Sequence, residues 1–136
     1  MARKPKALVL DSWAVLAYLG DEASGQEVAN LIASAHDDRT SMYMSVVNAG
    51  EVWYILAREV SEIQADNALR DLTALGIQLI DADWPVTRVA GTFKARGRMS
   101  YADCFAAALA KERKADLVTG DKEFKQVDGE ISIRWL

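Results

Sequence analysis

Short apolar or β-branched runs alternate with longer stretches of helical period along this chain, and that alternation restricts its fold more than any other feature. Strand, helix, strand in succession needs a crossover, and right-handed crossovers lay helices over both faces of a mostly parallel sheet. The pattern therefore predicts an α/β protein, a three-layer α/β/α sandwich. At 136 residues with 51% hydrophobic content, the chain suits one domain over residues 1–136.

Strands are expected over 7–10, 42–45, 77–80, 116–119 and 131–135. Helices are expected over about 12–19, stopped near Gly20, over 25–35 with Val28, Leu31, Ile32 and Ala35 on one face, and over 48–60. Ser61 with Gln64 three residues later reads as a capping box for a helix ending at Gly76. Asp83 is a good N-cap, with Pro85 in the first turn of a helix reaching Arg96 before Gly97. Ser100 caps a further helix whose alanines, 102, 106, 107, 108 and 110, permit close packing on a sheet.

Several chemistries lose their support at once. The lone cysteine, Cys104, cannot close an internal disulfide, and the lone histidine, His36, has no second partner for a zinc site. Beside Asp37 and Asp38, His36 reads as a solvated loop residue. No apolar run approaches the roughly 18 to 20 residues that cross a bilayer. The basic start over residues 1–6 is followed by an apolar run carrying Asp11 and by no convincing cleavage site, so a cytoplasmic protein is expected. A net charge of −4 argues against broad attraction to nucleic acid, so any such contact must be local.

What remains is a set of acids at strand ends. Asp11 follows the first strand, Glu51 lies in the first turn of the helix after the second, and Asp121 follows the fourth. Asp103 opens the alanine-rich helix. In a parallel sheet, ligands bind beyond the carboxyl ends of the strands, and strand order can bring all four acids to that edge. Asp103 and Glu51 also have a plain structural reading as first-turn acids, and Asp121 as a turn cap. For Asp11 that reading is weaker, because a charge closing an apolar strand that runs into Trp13, Val15 and Leu16 is expensive without a partner. Four carboxylates together repel unless a cation compensates. Carboxylate oxygens without histidine or thiolate suit Mg²⁺ or Mn²⁺. Ser12 and Thr119 flank the same edge and can hold a carboxylate by hydrogen bonds.

Four blocks in order carry a family resemblance. Leu10-Asp11-Ser12 with the apolar Val15 to Leu19, Ser45-Val46-Val47-Asn48-Ala49-Gly50-Glu51, Met99 to Cys104, and Leu117-Val118-Thr119-Gly120-Asp121-Lys122-Glu123-Phe124 together resemble PIN-domain ribonucleases of the VapC toxin type. The resemblance implies Asp11, Glu51, Asp103 and Asp121 as catalytic, metal-binding acids, with Ser12 and Thr119 in support and Asn48 orienting Glu51. It further implies an Mg²⁺- or Mn²⁺-dependent endoribonuclease, a hydrolase that cuts RNA with a metal-activated water. Such small members are toxins of toxin-antitoxin pairs, homodimeric and held by an antitoxin, and the lack of further domains in this chain favours that branch.

Lys94, Arg96 and Arg98 form the clearest basic cluster and are the expected RNA-binding residues, although cations also complement a helix end. Setting aside the four acids brings the charge from −4 to 0, so an acidic chain is compatible with RNA. Trp13, Tyr18, Trp53, Tyr54 and Trp84 are core or line a groove for an antitoxin helix. Two rivals are weighed. A phosphoacceptor receiver, with Asp81 as acceptor and Thr119 and Lys122 assisting, needs an acidic pair after the first strand, where only Asp11 stands. A non-catalytic PIN-like module that binds RNA or protein would be marked by loss of an acid, and none is missing.

Overall fold

The computed structural model describes residues 7–20 and 22–136; the basic start at residues 1–6, weighed above as an export signal, lies outside the described residues. In chain order it holds β1 (Ala7–Leu10), α1 (Ser12–Leu19), α2 (Ala23–Asp38), β2 (Ser41–Ser45), α3 (Val46–Glu59), α4 (Glu62–Ala74) and β3 (Ile77–Ile80). Then come α5 (Trp84–Arg96), α6 (Tyr101–Arg113), β4 (Asp116–Thr119), a 3₁₀ helix (Lys122–Val127) and β5 (Ser132–Trp135). The strands form one five-stranded sheet in the order β3-β2-β1-β4-β5. All four ladders are parallel, so the sheet is wholly rather than mostly so.

β1 is central and buried throughout, as a continuous apolar run in a sheet covered on both faces should be. Its side chains alternate between two cores. Ala7 and Val9 pack with α5, α6 and the 3₁₀ helix, around Phe93, Leu109, Leu117 and Phe124. Leu8 and Leu10 pack with α1 to α4, around Val15, Val28, Met44, Val52 and Leu72. Each such large side chain, once fully buried, contributes about 1.5–3 kcal/mol, which makes these two layers the main support of the fold. α6 is buried without a break from Asp103 to Ala110, because its small side chains let it lie between the sheet and its neighbours.

The anticipated caps are present. Ser61 accepts from the Gln64 amide at 3.1 Å, Asp83 from the Val86 amide at 3.1 Å and Ser100 from the Asp103 amide at 3.2 Å. Three local readings need correction. α2 runs to Asp38 and closes on Arg39 in the left-handed conformation (φ 56°), so His36 sits in the last helical turn and not in a loop. Its Nε2 lies 2.7 Å from the Leu75 carbonyl oxygen. α3 starts at Val46 because Ser45, the last residue of β2, doubles as N-cap by accepting from the Val47 amide. Glu51 therefore falls in the second turn of α3, not the first. The 3₁₀ helix after Asp121 was not expected at all.

Among the described residues no helix is long and apolar enough to cross a membrane. Gly25 shows how tightly α1 and α2 meet: a Cβ there would lie 2.5 Å from the Ala17 carbonyl oxygen. Gly25→Ala is expected to lower stability by about 1–3 kcal/mol, because rigid backbone must shift. Gly91→Ala, inside α5 with nothing within 4 Å of its added Cβ, should raise stability by about 0.5–1 kcal/mol. Urea unfolding of the two variants checks the opposite signs.

Candidate metal centre

A parallel sheet sends the carboxyl ends of its strands to one edge, and β1 and β4 are direct neighbours there, with Leu10 opposite Val118. Asp11 follows Leu10 and is fully buried. It caps α1, one carboxylate oxygen accepting from the Ala14 amide at 2.8 Å. The other accepts from the Thr119 hydroxyl at 2.5 Å. Burial pushes its pKa up to about 7, against the pull of the Thr119 and Ala14 hydrogen bonds, and the charges of Asp121 and Glu51 push the same way as burial.

Thr119, itself fully buried, serves two acids. While its hydroxyl donates to Asp11, the same oxygen accepts from the Asp121 amide at 3.0 Å. Asp121 in turn accepts from the Glu123 amide at 3.0 Å and so caps the 3₁₀ helix. On the other side, the Ser12 hydroxyl donates to the Glu51 carboxylate, joining the start of α1 to α3. Asp103, in the first turn of α6, is 6% exposed. Its pKa rises to about 8, first through burial, then through a hydrogen bond with the Glu123 side chain, then through the charges of Asp121, Asp11 and Glu123.

The four acids read from the sequence thus come within electrostatic reach of one another. Glu51, Asp103 and Asp121 line a cleft of about 490 Å³, with Ser12, Ser100 and the apolar Trp13, Leu16 and Ile55. Asp11 sits behind this surface. Two of the four carboxyls are held well above their ordinary range by burial and by neighbouring charge, the condition a divalent cation relieves. The donors are all oxygens, so the set fits Mg²⁺ or Mn²⁺. The Trp13 ring closes on the backbone beside the acids, since a Cβ at Gly120 would lie 2.3 Å from it.

Other expected residues are placed differently. Asn48 is buried, but its amide donates to the Ala102 carbonyl at 3.1 Å and ties α3 to α6; Ser12, not Asn48, holds Glu51. Glu123 was missed as a site residue although it stands two positions after Asp121 in the fourth block. In the basic cluster, Lys94 donates to the Met99 carbonyl at 2.8 Å and Arg96 pairs with Glu130 at 2.5 Å. Arg98 is exposed, and its backbone amide donates to Gln126 at 2.9 Å. None of the three lines the cleft. Of the aromatics, Trp13 walls the cleft, and Trp53 donates to Asp66 at 2.8 Å between α3 and α4. Tyr18 is half-buried and packs against the α1 to α4 core. Trp84 (70% exposed) and Tyr54 (46%) stand in solvent.

Known proteins place this arrangement. A chain of the VapBC2 structure from Rickettsia felis, solved on a promoter DNA fragment, is 20% identical with a TM-score of 0.74, over 96% of this chain and 98% of that one. VapC20 of Mycobacterium tuberculosis, a toxin that cleaves the sarcin-ricin loop, is 18% identical with a TM-score of 0.71, over 89% and 95%. VapBC-1 of nontypeable Haemophilus influenzae follows at 17% identity and a TM-score of 0.72, over 95% and 97%. At such identities the likeness is one of fold. No curated protein sequence matches the chain. The family model for the PIN domain matches residues 8–130, a span that opens within β1 and takes in all four strand-end acids; the chain belongs to the PIN-domain family.

Proposed function

We propose that the protein is a divalent-metal-dependent endoribonuclease and the toxin of a toxin-antitoxin pair. The observation that carries this reading is the meeting of Glu51, Asp103 and Asp121 on one cleft, with Asp11 buried behind them, in a PIN domain. Asp11, Glu51, Asp103 and Asp121 would hold Mg²⁺ or Mn²⁺. When bound, the ion supplies positive charge to a phosphodiester and makes water a usable nucleophile near neutral pH.

The chain's own residues do the positioning. Thr119 fixes Asp11 and the Asp121 turn through a single hydroxyl, and Ser12 fixes Glu51. Ser100 caps α6 and so sets where its first turn presents Asp103. Trp13, Leu16 and Ile55 keep one wall of the cleft apolar, which limits water around the acids. Arg98 is the cation of the basic cluster offered to RNA phosphates, while Lys94 and Arg96 shape the end of α5 through their bonds to Met99 and Glu130. The VapBC structures of similar fold support an antitoxin as partner. A homodimer acting in the cytoplasm completes the reading.

The test is cleavage of a single-stranded RNA in Mg²⁺ or Mn²⁺. Wild type cuts, and EDTA stops it; no cutting at any level of either ion, or cutting undiminished by EDTA, overturns the reading. Arg98→Ala should raise KM several-fold at unchanged kcat and flatten the salt dependence of RNA binding by about 0.7, the slope of one phosphate contact on a single strand. An unchanged salt slope would remove Arg98 from the RNA path.

A further inference from the structure

Trp13 is a large aromatic that neither hydrophobic core uses. Among the described residues it packs neither with the layer around Phe93 and Leu117 nor with the one around Val15 and Met44. Its side chain is half-buried and lines the cleft that carries the acids. The Trp53 indole N–H donates to Asp66, whereas the Trp13 indole N–H has no hydrogen-bond partner among the described residues. An apolar body with a free donor is the combination that favours aromatics at binding surfaces.

The ring is held in place by the same network that holds the acids. Trp13 stands in the first turn of α1 between Ser12, which donates to Glu51, and Ala14, whose amide donates to Asp11. Its six-membered ring lies on the backbone of Gly120, where a Cβ would come within 2.3, 2.4 and 2.7 Å of three ring carbons. Gly120 is not among the glycines of positive φ, so its own backbone would accept a side chain, and it is the indole that demands a glycine there. On either side of Gly120, the Asp121 amide donates to the Thr119 hydroxyl. The indole is therefore presented with little side-chain freedom left to lose on binding.

We propose that Trp13 is the stacking surface for one nucleobase of a single-stranded RNA, the base next to the phosphate that the acids receive. Every base offers a π-face to an aromatic ring, and a base lies one sugar away from its phosphate, so a ring in the wall of the same cleft suits a base splayed out of the strand. This inference rests on the RNA-cleaving reading above and names the part of the substrate that the apolar wall takes.

The experiment measures Mn²⁺-dependent cleavage of a short single-stranded RNA of mixed sequence, and of the same strand with one base at a time near the cut replaced by a base-free sugar. In wild type, removing one particular base beside the cut should raise KM about tenfold, within the range that base–aromatic stacking supports. Trp13→Leu keeps the wall apolar but offers no ring, and should raise KM on the intact strand by a similar factor. Removing the same base should then add less than about twofold, because both changes delete one contact. Trp13→Phe should restore part of the loss, and Trp84→Leu, at an exposed tryptophan outside the cleft, should match wild type.

An unchanged KM in Trp13→Leu, or a loss of equal size on the intact strand and on every base-free strand, overturns the stacking role. Should thermal unfolding show that Trp13→Leu does not fold, Trp13→Phe decides: a cost of base removal equal to that in wild type overturns the proposal, and a smaller cost supports it. If wild type cuts RNA and EDTA stops it while Trp13→Leu is unaffected, this inference alone falls. If wild type cuts no RNA, the nuclease reading falls and this one with it.

Discussion

On the proposed reading, Asp103→Asn is expected to remove divalent-dependent RNA cleavage and at the same time to stabilise the metal-free protein. The loss of activity should be about 10²- to 10³-fold, the usual scale when one preorganised group of a charged site is deleted. Asparagine keeps the volume of the side chain, and the cap on α6 survives because Ser100 accepts from the backbone amide of residue 103. What disappears is a carboxyl pushed to about 8 by burial and by Glu123, Asp121 and Asp11. Asparagine is neutral at every pH, so near pH 8 the fold no longer carries the repulsion that an ionised Asp103 brings. A gain of about 2 kcal/mol is expected there, with the remaining cost of the site spread over the other acids. Near pH 5, only about one unit above the unfolded value of 3.8, the gain should be much smaller, and it vanishes below about pH 4. RNA cleavage together with thermal melts in EDTA at the two pH values checks both halves; wild-type cleavage by the variant would remove Asp103 from the mechanism.

The second large effect is a stability that runs against pH until metal is added. Asp11 and Asp103 have folded-state pKa values of about 7 and about 8, both raised from 3.8. Between those limits the folded protein retains protons that the unfolded chain has released. Stability from these two groups is therefore full below about 4 and is lost as pH rises through 7 and 8. In EDTA the melting temperature should fall from pH 5.5 to pH 8. One fixed Mn²⁺ concentration, about 100 times the Kd at pH 8, should return about 2.7 kcal/mol there and less at pH 5.5, where the ion has more protons to displace and its Kd is higher. A melting temperature that rises across this range in EDTA, or an Mn²⁺ effect of equal size at both pH values, would mean that these carboxyls are not the ion's partners.

Much of this protein was readable from residues close together in the chain. The period of the apolar pattern placed β1, β3, β4 and α1, and short cap signals placed the starts of α4, α5 and α6, because such features depend on neighbours within about four residues. The alternation of elements was enough for a layered sheet, and their places at strand ends were enough to expect Asp11, Glu51, Asp103 and Asp121 at one edge, where the structure brings them together. Which groups meet was decided only by the tertiary fold. Thr119 and Asp11 are 108 positions apart, Asn48 and Ala102 54, Ser12 and Glu51 39, and Arg96 and Glu130 34. No local propensity speaks across such separations. Hence the sequence did not foresee that Asn48 would bond Ala102, that Lys94 and Arg96 would engage Met99 and Glu130, or that Glu123 would line the cleft. Its place beside Asp103 arises because β4 pairs with β1, setting the turn after β4 against the first turn of α6.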